Sequence, residues 1–479
     1  MKFHLKRIVF CLLIFAIGIM LSACGGSKDQ TYTTNYFITN NSGNQQEATP
    51  NNNQEQNENN NENQNENEEN NNNNEENPPE EETKDITLSK SSFVIHEGDT
   101  ENITVTSNGE DKTSEATYNV ADESIATVEN GTITAIGFGT TDVTVSLGGS
   151  DNTKGTDSAT FQVNVYDDST TRVTLDNNVL NQINELGLVE QNAENKKQLT
   201  ELNIPAVFKY NNNKYMITAI EGHLFENCNK IKTLTIPESI ETIGELAFYY
   251  CSGITSVVIP DSVTSIEHHA FHWCTSLEDV TLSKNLTRIT DGTFDHCTSL
   301  ETLTIPEGVE VLEGHFVYEC SSLKEINLPN TLKTIEPWGF ETIPNIEHIT
   351  IPESVTAIGD HAFMQCYSLD NVVVPNSVTD LSDHVFENCH ALKNITLPNN
   401  INTLKDGTFM YCDALETITI PENITTIEGW VFNGCTSLTI TVPNTVTTIG
   451  ENAFNQVPQV YYNGNATGTP WGANNCSTY

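Results

Sequence analysis

The chain has 479 residues, too many for one ordinary domain, and sets 21 Lys plus Arg against 65 Asp plus Glu for a formal net charge of -44. A surface this acidic repels phosphate backbones and anionic headgroups alike, which excludes nucleic acid as a partner. Composition shifts sharply along the chain, so an anchor, a linker and two folded parts are predicted.

Residues 1–24 begin with Lys2, Lys6 and Arg7, run through apolar Ile8 to Leu21 and end in Leu21-Ser22-Ala23-Cys24, the layout of a signal peptide. The apolar run is shorter than the roughly 20 residues that a membrane-crossing helix needs. The last four residues resemble the lipobox of bacterial lipoproteins, which implies lipidation of Cys24 as the first mature residue and an envelope location, outside the membrane, for the rest of the chain. Residues 25–84 are dominated by Asn, Gln and Glu, with no basic residue between Asp29 and Lys84. Such a segment buries too little apolar area to offset the entropy of ordering and is predicted to be a disordered tether. Its reach is on the order of 40 Å, extended further by glutamate repulsion.

Polarity alternates with period two in residues 85–167, over Asn102–Thr106, Gly131–Ile136, Asp142–Ser146 and Phe161–Val165, which predicts half-buried strands of an all-β sandwich. The blocks Ser124-Ile125-Ala126-Thr127-Val128, Gly131-Thr132-Ile133-Thr134-Ala135 and Gly139 to Val145 resemble the bacterial immunoglobulin-like group 2 domain. That resemblance implies an immunoglobulin-like fold without a disulfide, used as a spacer on surface proteins. Residues 168–203 are expected to form a connector and N-terminal cap. Within and beyond it, Asp176–Leu186 is predicted as a short capped helix and Pro205–Thr218 as a hairpin through Asn211-Asn212-Asn213, both closing the open end of the second folded part.

From 204 to 462 the sequence repeats itself. Proline recurs at Pro237, Pro260, Pro306, Pro329, Pro352, Pro375, Pro398, Pro421 and Pro443, on a 23-residue period, with Ser283 in one vacancy and a one-residue shortening near Thr439. Phenylalanine keeps the same beat from Phe225 to Phe454. One unit places apolar residues at Ile231, Leu234, Ile236, Ile240, Ile243, Ala247, Phe248 and Cys251. No unit of that size buries its apolar face alone, so stacked units sharing one core are required: a solenoid of short parallel strands. Leu234 and Ile236 should point inward and Thr235 outward, with Pro237 ending the strand because it has no N–H to donate. The Ala-Phe-x-x-Cys piece should return as a turn or short helix. At about 4.7 to 4.9 Å per coil the array would form a curved body on the order of 50 Å long. The pattern resembles the BspA-like, or Treponema pallidum type, leucine-rich repeats. That resemblance implies a surface protein of a host-associated microbe, with extracellular host or bacterial proteins as partners in adhesion. Residues 463–479 are expected to be a C-terminal tail.

No G-x-S-x-G, H-E-x-x-H, glycine-rich phosphate loop or paired acidic motif occurs, so no catalytic residue, cofactor-binding residue or metal ligand is assigned, and the chain reads as a binding module with no cofactor. Nine cysteines share one column, Cys228, Cys251, Cys274, Cys297, Cys320, Cys366, Cys389, Cys412 and Cys435, and are expected as buried free thiols, because parallel side chains in neighbouring coils do not pair as disulfides. His223, His269, His315, His361 and His384 form another column with Trp338 and Trp430, and His268 and His272 have the spacing of a helical metal pair. Without supporting carboxylates they read as a tolerant outer position. Two surfaces remain. The exposed ladder Thr235, Thr281, Thr304, Asn327, Thr350, Thr396 and Thr419 offers short hydrogen-bonding side chains on a concave face. Along a lateral edge, Tyr249, Tyr250, His272, Trp273, His296, Tyr318 and Tyr411 gather aromatic rings suited to proteins or sugars. A glycan-capture lipoprotein and a structural surface component are the alternative readings.

Overall fold

The computed structural model describes residues 86–148, 158–189, 193–466, 471–473 and 475–477. The leader, Cys24 and the tether lie outside them. No helix among the described residues is long and apolar enough to cross a membrane.

The first module is all β. Thr117–Val120, Gly139–Ser146 and Ser158–Tyr166 pair antiparallel, and Ser92–His96 joins the sheet parallel to Ser158–Tyr166. Alternate residues of these strands point inward, so Phe93, Ile95, Val143, Val145, Phe161, Val163 and Val165 form one apolar core with Ile103, Val105, Ile133 and Ala135. Asn164 is buried among them without cost to pairing: its amide donates to Phe93 O at 3.2 Å and its oxygen accepts from Thr140 Oγ1 at 2.8 Å. The run Asn102–Thr106 is not one strand. Thr100–Asn102 pairs with Thr132–Ala135, whereas Val105–Ser107 pairs with Ile86–Leu88, so the chain changes sheets at Ile103-Thr104.

Asn177–Glu185 is the predicted helix, with Asp176 as its N-cap accepting from Val179 N at 2.8 Å. Its buried face, Val179, Leu180 and Ile183, joins the core of the array. The hairpin of Val207–Tyr210 and Asn213–Ile220 turns at Asn211 and Asn212, both at positive φ, as a tight right-twisted hairpin requires. Asn213–Ile220 then pairs parallel with Thr171–Leu175 on one side and with Thr242–Ile243 on the other, so it is the first rung of a ladder. Lys214 of this hairpin forms an ion pair with Asp167 at the end of the first module and lies over the Phe138 ring at 5.1 Å from its centroid.

Most repeats contribute two short strands rather than one; at Thr350 the expected strand shrinks to an isolated bridge, His348 with Asn371, and around Thr419 it is not formed. The expected strand is present as Thr233–Thr235, Ser256–Val258, Asp279–Thr281 and their successors, paired in parallel with neighbours one repeat away, as in Thr302–Thr304 with Glu325–Asn327. A second ladder of two-residue strands, unforeseen from the sequence, runs through Thr242–Ile243 and Ser265–Ile266, and again through Arg288–Ile289, Val311–Leu312, Thr334–Ile335, Ala357–Ile358 and Asp380–Leu381. Between the ladders, Ile240, Val263, Leu286, Val309 and Leu332 lie inside with the phenylalanines. The Phe rings stack at 5.0 to 5.9 Å from Phe225 to Phe294 and again from Phe340 to Phe454. One coil interrupts the stack. There the Ala-Phe order becomes Phe316-Val317, and Phe316 meets Phe340 edge-on at 81°.

Candidate functional site

The return of each coil is a turn, and its geometry sets where every candidate side chain points. Two residues four apart take left-handed backbone in each coil: His269 at φ 57° and Trp273 at 62°, His361 at 57° and Gln365 at 62°, and likewise along the array. The left-handed residues reverse alternate peptide planes. The N–H groups of His269, Phe271 and Trp273 therefore donate to Asp291, Thr293 and Asp295 of the next coil at 2.8 to 3.0 Å, while those of His272 and Cys274 donate back within their own coil. For an L-residue this conformation costs about 1–2 kcal/mol, and the inter-coil hydrogen bonds hold it in place.

The same turn explains the cysteine column. All nine thiols are free and buried, and from the second coil onward each Sγ lies 3.1 to 3.4 Å from the carbonyl oxygen of the Phe one coil earlier, as Cys389 does with Phe363 O at 3.2 Å. Burial pushes the Cys274 and Cys366 thiols up to about 12, so they stay protonated and donate.

On the strand ladder, Thr235, Thr281, Thr304, Asn327, Thr350, Thr396 and Thr419 are all exposed, and their neighbours at each side point inward. Asn327 Nδ2 reaches Thr304 Oγ1 at 3.4 Å and Thr235 Oγ1 donates to Asn203 Oδ1 at 2.6 Å, so part of the column is hydrogen-bonded along its length. Two positions depart from the polar pattern. Val258, paired in register with Thr281, and Val373, paired with Thr396, are 61% and 62% exposed. A cavity of about 280 Å³ opens beside Val373, lined by Asn371, Asn394, Thr396, Thr417 and Thr419. Counting one repeat on from Thr235 and from Thr350 would have found both valines.

The aromatic edge is only partly a cluster. Tyr250, Trp273 and His296 occupy successive coils and stack at 5.5 and 4.1 Å, so both faces of the Trp273 ring are covered. Tyr249 and His272 lie beside them at 5.3 Å, and Tyr318 meets His296 edge-on at 5.6 Å. Burial, with Glu319 and Glu341 nearby, pushes the Tyr318 hydroxyl up to about 12. Tyr411 stands apart, folded over Gly434, where a Cβ would collide with its ring. The most exposed rings on the turns are Tyr411, Trp430, Tyr367, Trp338 and Tyr250, at 39% to 41%.

The histidine column carries more chemistry than its spacing announced. His315, Trp338, His361 and His384 stack in succession at 5.6, 5.7 and 4.8 Å. Gly292 and Gly407 interrupt the column, and the rings of His269 and His384 fold over them into space that a Cβ would fill. Carboxylates, which the spacing along the chain conceals, stand beside the imidazoles: Asp295 Oδ2 is 2.9 Å from His272 Nδ1, Glu387 Oε2 is 2.9 Å from His384 Nδ1, and Asp291 and Glu341 flank His315 at 3.6 and 3.3 Å. Most of them arrive from an adjoining coil, as Asp295 does one full repeat beyond His272. His268 and His272 do not form a pair. The segment is a turn, His268 faces Glu313 at 3.8 Å, and His269 is the residue that meets His272. Burial lowers the His315 pKa, but Asp291 and Glu341 outweigh it and hold the ring at about 9.

Stacked coils of this length, closed by two parallel ladders around an aliphatic and phenylalanine core, define a leucine-rich-repeat solenoid. The family described as BspA type Leucine rich repeat region, in 6 copies, matches residues 218–344 and 339–460, about half of the chain. The chain belongs to that family. In the preceding module, residues 112–155 match the description Hyaluronate lyase, N-terminal beta-sheet domain. Among solved structures, the chain is similar to a leucine-rich repeat protein from Bacteroides ovatus, at 24% identity over 55% of this chain and 86% of that one, with a TM-score of 0.43. It is similar as well to a leucine rich cell surface protein from Faecalibacterium prausnitzii, at 28% identity over 55% and 88%, with a TM-score of 0.37. With the pneumococcal vaccine antigen PcpA it shares 15% identity over 68% and 87%, with a TM-score of 0.40. No curated protein matches the chain.

Proposed function

We propose that this is a bacterial surface protein, anchored through a lipid on Cys24, whose solenoid binds extracellular proteins on its strand-ladder face without catalysis. The observation that carries the reading is the exposure of Val258 and Val373, each above 60%, on a ladder otherwise made of Thr and Asn. Two β-branched apolar side chains held outward on short parallel strand pairs, one of them lining a cavity that mixes Asn and Thr with Val372, Ile395 and Ile418, supply the apolar anchor and polar rim of a protein interface. The anchor and surface location rest on the Lys2-to-Cys24 leader pattern and the acidic, asparagine-rich tether. The test is binding of the purified protein to matched panels of immobilised extracellular proteins and glycans, repeated with Val373→Thr and Val373→Lys. A saturable protein ligand whose affinity falls modestly with Thr and at least ~30-fold with Lys supports the ladder. Binding to glycans alone would transfer recognition to exposed rings such as Trp430 and Tyr411, and binding to neither panel would leave a structural surface role.

A further inference from the structure

On grounds independent of the ladder, we propose that His269, His272 and Asp295 form a site for a divalent transition-metal ion of the zinc class. One ligand atom from each of the three lies within 4.8 Å of the others. Nδ1 of both histidines is shut off from solvent and has no hydrogen-bond partner. Buried ring nitrogens are normally paired, so two unpartnered ones in a cluster that also holds a carboxylate call for a ligand. Nδ1 of His272 is 2.9 Å from Asp295 Oδ2, well within hydrogen-bonding range, yet the two are not hydrogen-bonded. Two ligands of one ion have this spacing, and His384 Nδ1 and Glu387 Oε2 share it at 2.9 Å, so the orientation of the rings has to separate the two clusters. Ligands at about 2.0–2.1 Å that subtend about 90–110° at a metal lie close together, while each lone pair is aimed at the ion rather than at the other ligand.

Ring orientation selects this cluster over its counterpart in the same column. The His269 and His272 rings stand at 76° to one another, so the directions of their in-plane lone pairs can meet at one point. His361, His384 and Glu387 also gather within 4.8 Å, but the two rings are parallel to within 12° and stacked, and an ion in the plane of one lies out of the plane of the other. The remaining contacts brace the first site. His296 Nδ1 binds the other oxygen of Asp295, Trp273 stacks on His296 at 4.1 Å, and Gly292 leaves the space in which the His269 ring sits. A carboxylate held by a second group in this way orients its free oxygen toward the ion. Two imidazoles and one carboxylate suit zinc, cobalt or nickel rather than calcium or magnesium, which take oxygen ligands, and three protein ligands leave a tetrahedral position open.

Equilibrium dialysis of the purified protein with Zn²⁺ tests the site. The expected result is one tightly bound ion per chain in the wild type and in His361→Asn, with affinity reduced at least ~100-fold in both His272→Gln and Asp295→Asn. His272 is outside the left-handed positions and Asn is nearly isosteric with Asp, so both variants should keep the wild-type circular dichroism spectrum. Co²⁺ gives a second readout: intense visible bands of a tetrahedral site, without the near-ultraviolet thiolate charge transfer that a cysteine ligand would add. Absence of a tight ion in the wild type, undiminished affinity in both variants, or a thiolate band would each overturn the assignment.

Discussion

Removing one thiol from the middle of the array tests whether the cysteine column contributes by donation as well as by filling space. Cys389 is fully buried, and its Sγ lies 3.2 Å from Phe363 O of the preceding coil. Cys389→Ala deletes one buried heavy atom, about 0.8 kcal/mol by analogy with a methylene. The void left behind adds about 0.5 kcal/mol, and the lost S–H···O bond about 0.5–1 kcal/mol. The total is about 2 kcal/mol. Cys228 is the internal control. It is also fully buried, but it begins the column, and its nearest acceptor is Glu226 O at 4.0 Å. Cys228→Ala should therefore cost about 1 kcal/mol, the packing part alone. Urea unfolding, followed by circular dichroism and by tryptophan fluorescence, measures both. Equal losses at the two positions, or none at Cys389, would refute the hydrogen-bonding role.

Thiol titration should label Cys476 rapidly in the native protein and the nine column cysteines only after denaturation, since those nine are buried and Cys476 is exposed. Thr342 is β-branched at φ 55°, a position that other coils fill with Asn227 and Asn388, so Thr342→Asn should stabilise the array by about 1 kcal/mol in the same urea assay. The ion pairs of His315 should give a pH-dependent difference between wild type and His315→Asn. Its folded-state value of about 9 lies above the unfolded value near 6.5, so the contribution is complete below about 6.5 and disappears as pH rises through about 9. With the side chain 37% exposed, solvent screening reduces the effect to about 1–2 kcal/mol, and a difference that grows with pH would contradict the assignment.

The features that the sequence displays openly are those that one residue type satisfies in nearly every coil. Proline ends nearly every strand, phenylalanine fills the axis and cysteine reaches a carbonyl, so their common period is visible and the core follows from it. The left-handed positions were hidden because the hydrogen bonds between coils impose them whatever the side chain: His269, Leu246, Trp338 and Glu319 share the conformation, while glycine, the usual signal, stands there only at a few places such as Gly292 and Gly407. The second ladder was hidden because a two-residue strand has no alternation to detect. The partners of the histidines were hidden because the eye looks along the chain, whereas Asp295 reaches His272 across coils.

The donation of alternate N–H groups from one coil to the next makes the length of the array a quantised property. Turn after turn hands donors forward to the next coil, and at the far end Phe454 N gives its own to Trp471 O in the closing segment. An insertion or deletion of one whole coil leaves each donor an acceptor and each phenylalanine a neighbour, whereas half a coil would place polar backbone opposite the core. The step from Pro421 to Pro443, one residue shorter than the others, shows where slack exists: the missing residue falls between Leu438 and Ile440, at the start of the strand Thr439–Val442, while the pairing of Thr426–Ile427 with Thr448–Ile449 is kept. Such a body can lengthen or shorten its exposed ladder in whole coils without being refolded.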